Sequence, residues 1–177
     1  MPGRIMFAMK FHPAFARLSA ALAVLALAAS SWLLAQTPVT GVPDPELLLK
    51  SKDRNLEANK TLIYNLFREV LEARHMELAD KYLAQDFIQH NPNAADGLAA
   101  LKRYFERAGA QPQPIAPKLK RKITAIVAEG DMVMVLYPRE LKDPKDPSKT
   151  YTTTGFDAYR IRNGRVVEHW DAATKSE

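Results

Sequence analysis

The stretch from Gly155 to Asp171, GFDAYRIRNGRVVEHWD, commits the chain to an antiparallel sheet. Its Asn163-Gly164 pair supplies the two positive-φ residues of a two-residue hairpin turn, with an alternating strand on each side. Side chains alternate faces along a strand. On the first strand Asp157, Tyr159 and Ile161 share one side; on the second, Val167, His169 and Asp171 share one side. Symmetric pairing about the turn sets Ile161 near Val166, Tyr159 near Glu168 and Asp157 near Trp170. Asp157 and Asp171 then lie on opposite faces. A bulge or a one-residue slip brings the two aspartates together, because such a shift turns every side chain over. Alternation leaves both registers open.

Upstream the period is that of helices. From about Asp53 to Arg74, Leu56, Leu62, Ile63, Leu66, Phe67, Val70 and Leu71 recur at three- and four-residue steps. A second short helix is expected from about Met76 to Ala84, followed by an extended Phe87-Ile88 leading into Gln89-His90-Asn91-Pro92-Asn93. Asp96 reads as the N-cap of a third helix from Gly97 to about Ala108, with Leu98, Leu101, Tyr104 and Phe105 inward. After the proline-rich Gln111 to Pro117 the period falls to two. Ile123, Ala125 and Val127 alternate with Lys122, Thr124 and Ile126. Met132 to Tyr137 is apolar on both faces and is expected as a strand covered on both sides. Pro138 to Lys149, with two Asp-Pro pairs, reads as a long exposed loop. Helices first and antiparallel strands afterwards argue for an α+β fold, N-terminal helices packed in a curved antiparallel sheet. Such a sheet leaves a concave apolar pocket, a common ligand site.

Composition narrows the function. The absence of cysteine excludes disulfides, thiolate metal sites and a cysteine nucleophile. Three of the 25 basic residues, Arg4, Lys10 and Arg17, lie in the first 36 positions, which hold no acid; 22 then face 20 acids, so the +5 charge is no argument for nucleic acid. After that basic start, Leu18 to Leu34 is apolar and alanine-rich, and Leu33-Leu34-Ala35 offers a small residue for cleavage. Residues 1–35 therefore read as a secretory signal peptide, with an uncleaved membrane anchor as the alternative. Either places the remainder outside the cytoplasm, periplasmic or secreted, and only the anchor implies a membrane partner. Residues 36–52 read as a linker and 53–177 as the domain. No Gly-rich phosphate loop, GxSxG elbow or HExxH is present, so nucleotide, serine-hydrolase and zinc-protease readings have no support.

Several stretches taken in order resemble a known family. They are Asn65-Leu66-Phe67, Asp80-Lys81-Tyr82-Leu83, Phe87-Ile88-Gln89-His90-Asn91-Pro92, Asp96-Gly97, Phe156-Asp157-Ala158-Tyr159-Arg160-Ile161, Asn163-Gly164-Arg165 and Glu168-His169-Trp170-Asp171. Each is weak alone; their order and spacing resemble the SnoaL-like polyketide cyclase family of the nuclear-transport-factor-2-like superfamily, from about Leu56 to Asp171. The resemblance implies a cone of helices and sheet with a pocket at its open end, frequent homodimers, and cofactor-free chemistry. It implies that an aspartate at the position of Asp171 is the general acid/base of an intramolecular aldol closure. The family's histidine on the preceding strand is replaced here by Asp157. Two carboxylates in one pocket share a proton, and the resemblance favours the bulged register. Hydrolases, isomerases, dehydratases and plain binding proteins also use this fold, which does not choose among them.

The candidate catalytic residues are Asp171, His90, His169 and Asp157. Asp171 would move a proton next to a carbonyl; the bland alternative is an exposed strand-end aspartate. His90, between an extended pair and a Pro-bounded turn, would donate to a substrate oxygen or only fix its loop. His169 shares a strand face with Asp171 and would act with it or tie two strands together. Asn91 and Asn93 would orient a carbonyl or shape the turn. Tyr159 and Trp170 are packing residues or pocket walls, and Tyr64, Phe67 and Tyr104 are core residues with ligand contact as the alternative. His90, His169, Asp157 and Asp171 also form a metal-type donor set, though no short-range ligand motif supports a metal. The expected partner is a small apolar molecule. The competing readings are a non-catalytic binding module and a dimerisation module.

Overall fold

The computed structural model describes residues 37–109 and 111–175, so the expected leader lies outside the described residues. Helix α1, Arg54–Asn65, begins at Asp53, whose Oδ1 accepts from the backbone N–H groups of Asn55 and Leu56 at 2.7 and 3.2 Å. It continues into a π-helical stretch, Leu66–Glu72. Ile63, Phe67 and Val70 from this rod are at most 2 % exposed and form the centre of the core. Glu69 is buried on the same rod. Burial pushes its carboxyl up, but the Tyr82 hydroxyl, Lys81 and Arg68 outweigh it and hold it below the usual carboxylate range.

The second helix is shorter than its pattern suggests. A 3-10 turn, Met76–Leu78, leads into α2, Ala79–Tyr82. The chain then becomes strand β1, Leu83–Gln89, because Leu83 pairs with Val166 on the last strand. Helix α3, Leu98–Arg107, follows. Asp96 does not cap it: its Oδ1 accepts from the Gln89 backbone N–H at 2.7 Å, and Gly97 occupies the cap position at φ 86. Tyr104, expected inward, is 67 % exposed, while Leu98 alone of this helix is fully buried.

Strands β2 (Ala125–Glu129), β3 (Met132–Lys142), β4 (Thr150–Arg162) and β5 (Arg165–Asp171) complete a five-stranded sheet in the order β1-β5-β4-β3-β2. Only β1 and β5 run parallel. On β2 it is Ile126 that turns inward, and Val127 is 53 % exposed. β3 is not covered on both faces. Val133 and Val135 are buried while Met134 is 39 % exposed on the outer side. The expected loop from Pro138 begins instead as strand, since β3 pairs with β4 through Lys142. Pro138 is tolerated there because the β2 pairing ends at Leu136, so its missing N–H falls on an open edge. The proline-rich stretch read as linker lies against the sheet. The Val39 N–H donates to Thr152 Oγ1 at 2.9 Å and the Val42 N–H to the Ile123 carbonyl at 2.8 Å.

The terminal hairpin takes the bulged register. Asn163 and Gly164 turn the chain at φ 51 and φ 69. Ile161 pairs with Val166, the ladder then slips by one residue, and Arg160 pairs with Glu168, Tyr159 with His169 and Asp157 with Asp171. Val166 must stay inside, being fully buried. Taking up one extra residue at Val167 turns the following residues over, so His169 and Asp171 face inward after it.

Candidate active site

Three titratable side chains meet on the inner face where β5 ends against the middle of β4. Asp157 and Asp171 are direct cross-strand partners, and His169 stands opposite Tyr159 one step inward. One ligand-type atom from each of Asp157, His169 and Asp171 lies within 4.8 Å of the others. Asp157 is 8 % exposed, and His169 Nε2 lies 3.1 Å from its Oδ1.

Strand β1 fixes the protonation pattern from the other side. Gln89 pairs with His169, and its Oε1 lies 2.7 Å from His169 Nδ1 while accepting from the Asn91 N–H at 3.3 Å. An oxygen at that place requires a hydrogen on Nδ1. Nε2 then faces a carboxylate oxygen. At 3.1 Å, a hydrogen on either atom makes the His169 Nε2–Asp157 Oδ1 contact a hydrogen bond. Asn91 Nδ2 donates to Asp171 Oδ2 at 2.7 Å, and the Ala173 N–H donates to its Oδ1 at 2.9 Å. Asp171 thereby accepts one hydrogen bond on each oxygen, beside the His169–Asp157 contact.

Two tyrosines border the pair. Burial, the Asp157 charge and a hydrogen bond to it push the Tyr137 hydroxyl up to about 12. Burial and the same carboxylate push Tyr159 well above the usual value. Both therefore keep their protons, and Tyr137 donates to Asp157. Tyr159 stacks on His169 at 4.7 Å between ring centroids and rests edge-on against Phe67 at 6.1 Å. Tyr137 lies across Gly155, its direct partner on β4, where a Cβ would meet the Tyr137 ring at 2.4 Å. A hollow of about 390 Å³ opens beside Asp157 and Asp171 under Tyr137, Arg139 and the segment from Ala172 to Thr174. The apolar pocket expected at Asp171 is thus a polar hollow, because Phe67 and Tyr159 fill the cone beneath it.

His90 stands apart from this group. Its neighbours in sequence, Gln89 and Asn91, face inward, so His90 faces out. There it stacks on Trp170 at 4.7 Å, and its Nε2 lies 3.3 Å from Glu168 Oε2. Arg160 covers Trp170 at 5.6 Å. Trp170 is therefore a packing residue of the outer face. Tyr64 is core, its hydroxyl accepting from the Leu119 N–H at 2.9 Å. Asn93 Nδ2 donates to the Thr174 carbonyl at 2.8 Å and pins the segment over the hollow. The structure thus brings together Asp157, His169, Asp171, Tyr159 and Asn91, with Phe67 beneath, and leaves out His90, Trp170 and Tyr64. Sequence reasoning passed over Gln89 and Tyr137. The donor set that a cation would use is Asp157, His169 and Asp171, without His90.

Replacing Gln89 with methionine removes the acceptor that fixes the His169 tautomer. We expect a loss of about 1–2 kcal/mol in unfolding experiments and, in ¹⁵N spectra, loss of the preference for Nδ1–H at His169. An unchanged ring spectrum would show that Gln89 does not set the tautomer.

A comparison with curated protein sequences finds no match. Among solved structures, a candidate polyketide cyclase from Acidithiobacillus ferrooxidans is 22% identical, with 69% of this chain and 89% of that one aligned at a TM-score of 0.47. A candidate SnoaL-like polyketide cyclase from Jannaschia sp. CCS1 is 17% identical over 70% and 91% of the two chains, with a TM-score of 0.48. A nuclear-transport-factor-2-like protein of Burkholderia pseudomallei is 15% identical over 66% and 91%, with a TM-score of 0.47. Residues 64–169 match the SnoaL-like domain family, which is more than half of the chain. With its helices packed in a five-stranded curved sheet and that match spanning α1 to β5, the chain belongs to the SnoaL-like domain family and has the nuclear-transport-factor-2-like fold.

Proposed function

We propose that this protein is an exported acid/base enzyme acting on a small apolar carbonyl compound, with Asp171 as the base. The observation that carries this reading is the opposed Asp157–Asp171 pair with His169 Nε2 lying 3.1 Å from Asp157 Oδ1. Asp171 removes the proton from the carbon next to the carbonyl. The electron pair moves onto the carbonyl oxygen, which takes the proton shared by His169 and Asp157, leaving an enol. Tyr137 and Tyr159, both held protonated, favour the negative charge as it develops. In an aldol closure the enol carbon attacks a second carbonyl, Asp171 returns its proton to the new alkoxide, and the enol O–H gives its proton back to His169 and Asp157 as the first carbonyl re-forms. In an isomerisation Asp171 returns its proton to a different carbon, and the enol O–H is released in the same way. Both begin with the same step, and neither needs a cofactor for it.

Exchange of the α-hydrogens of an apolar ketone in D₂O reads that shared step directly. With 1-indanone as the first probe, the protein is expected to accelerate loss of the C2 proton signal above buffer. Native mass spectrometry of protein from its own host would report the mature N-terminus, the subunit count and any retained ligand. Retained ligand with no exchange over a series of ketones supports a binding module instead. An exported homodimer is part of the same proposal. The outer sheet face, where Val127, Met134 and Phe156 are 53, 39 and 38 % exposed, favours self-association. An observed first residue of Met1 overturns cleavage.

A further inference from the structure

A second cavity lies on the other side of Gln89 and Asn91. It measures about 680 Å³, the size of a cleft for a drug-sized molecule. Its floor is Phe87 and Gln89 of β1 with Asn91 just beyond the strand. Its opposite wall is one face of α3, where Arg103, Tyr104 and Arg107 line it together with small and apolar side chains. Arg103 and Arg107 are four residues apart and so project from the same side of the helix. Among the described residues neither guanidinium has an ion-pair or hydrogen-bond partner, and none of the described residues lining the cleft is acidic. The wall therefore presents uncompensated positive charge above a floor that carries no charge.

That combination selects a ligand. A hydrocarbon ring system gains from the Phe87 and Tyr104 surfaces. A carboxylate matches the planar guanidinium fork, and an arginine–carboxylate pair forms charge-assisted hydrogen bonds. A neutral apolar compound uses only the first term. Gln89 and Asn91 line the cleft and also hold His169 and Asp171. We infer that the cleft between β1 and α3 binds an aromatic or alicyclic carboxylate, with Arg103 and Arg107 on the acid group. This site stands independently of the proposed acid/base chemistry, since Asp157 and Asp171 line a separate hollow.

Calorimetric titration of the full chain with 2-naphthoate and with its neutral counterpart 2-naphthylmethanol tests the site. We expect 2-naphthoate to bind at one site per chain and about tenfold or more tighter than the alcohol, the effect of one charge-assisted contact. The double substitution Arg103→Gln/Arg107→Gln, on two exposed helix positions that leave the core untouched, should abolish that difference. In Asp171→Asn, 2-naphthoate should still bind, since Asp171 does not line the cleft. Equal affinity for acid and alcohol, or a preference for 2-naphthoate that survives the double substitution, overturns the inference. Binding that follows the arginines while no ketone exchanges its α-hydrogens leaves the anion site standing and rejects the proposed chemistry instead.

Discussion

Phe67→Ala is expected to cost about 3–5 kcal/mol of folding stability, read from denaturant unfolding, because it opens a cavity that its neighbours cannot close. Phe67 is 2 % exposed and sits in the π-helical stretch Leu66–Glu72. Its ring meets Tyr159 edge-on, and the Arg121 guanidinium lies 5.4 Å from its centroid on the other side. Tyr159 in turn stacks on His169. The cavity therefore forms under the two rings that carry the acid/base pair, so any ketone exchange should fall together with stability. Stabilities of single domains are about 5–15 kcal/mol, so this one change consumes a large part of the margin. The same measurement separates the two roles the sequence allows for Phe67. A wall of an open ligand pocket loses little on truncation; a loss below about 1 kcal/mol would mean that the cone is hollow beneath Tyr159.

The fold was legible in the sequence and much of the site was not, for reasons that differ by residue. The period change after Pro117 and the Asn163-Gly164 turn are local signals; the turn forms as read, and the period change does mark a strand, though it begins at Ala125 and turns Ile126 rather than Val127 inward. The bulge is not local. It is fixed by Val166 entering the core and by β5 pairing with β1, some 80 positions earlier in the chain, so alternation within the hairpin left two registers open. His90 and Asn91 were both singled out as site residues. On a strand, adjacent residues face opposite sides, and the choice between them needs the sheet. Gln89 shares the parity of Asn91 but does not titrate, so a search over ionisable types passes it by. Tyr137 becomes part of the site through its pairing with Gly155 on the neighbouring strand. Nothing near Tyr137 in the sequence announces that contact. Tyr104 follows an amphipathic pattern correctly, but the pattern does not say whether its face meets core or a cleft, and here it lines a cleft.

Asp171→Asn is expected to lower α-hydrogen exchange about a hundred- to ten-thousandfold, the range over which a positioned acid or base contributes. The change is isosteric, so its effect on folding should be small beside its effect on rate. Asp171 accepts from Asn91 Nδ2 and from the Ala173 N–H, one donor on each oxygen. An amide keeps one acceptor and turns its NH₂ toward the other donor, which costs about 1 kcal/mol at a half-exposed position. The contrast with His90→Ala makes the result specific. His90 carries the more familiar catalytic side chain, yet it stacks on Trp170 across the sheet from the aspartate pair. Its removal should leave the exchange rate unchanged. A rate that falls with His90 and survives Asp171→Asn would place the chemistry on the outer face, where the described residues offer Glu168 as its only carboxylate partner. A rate that falls with Asp171 alone ties proton transfer to the one extra residue in β5, since without the bulge at Val167 the last side chain of that strand would point the other way.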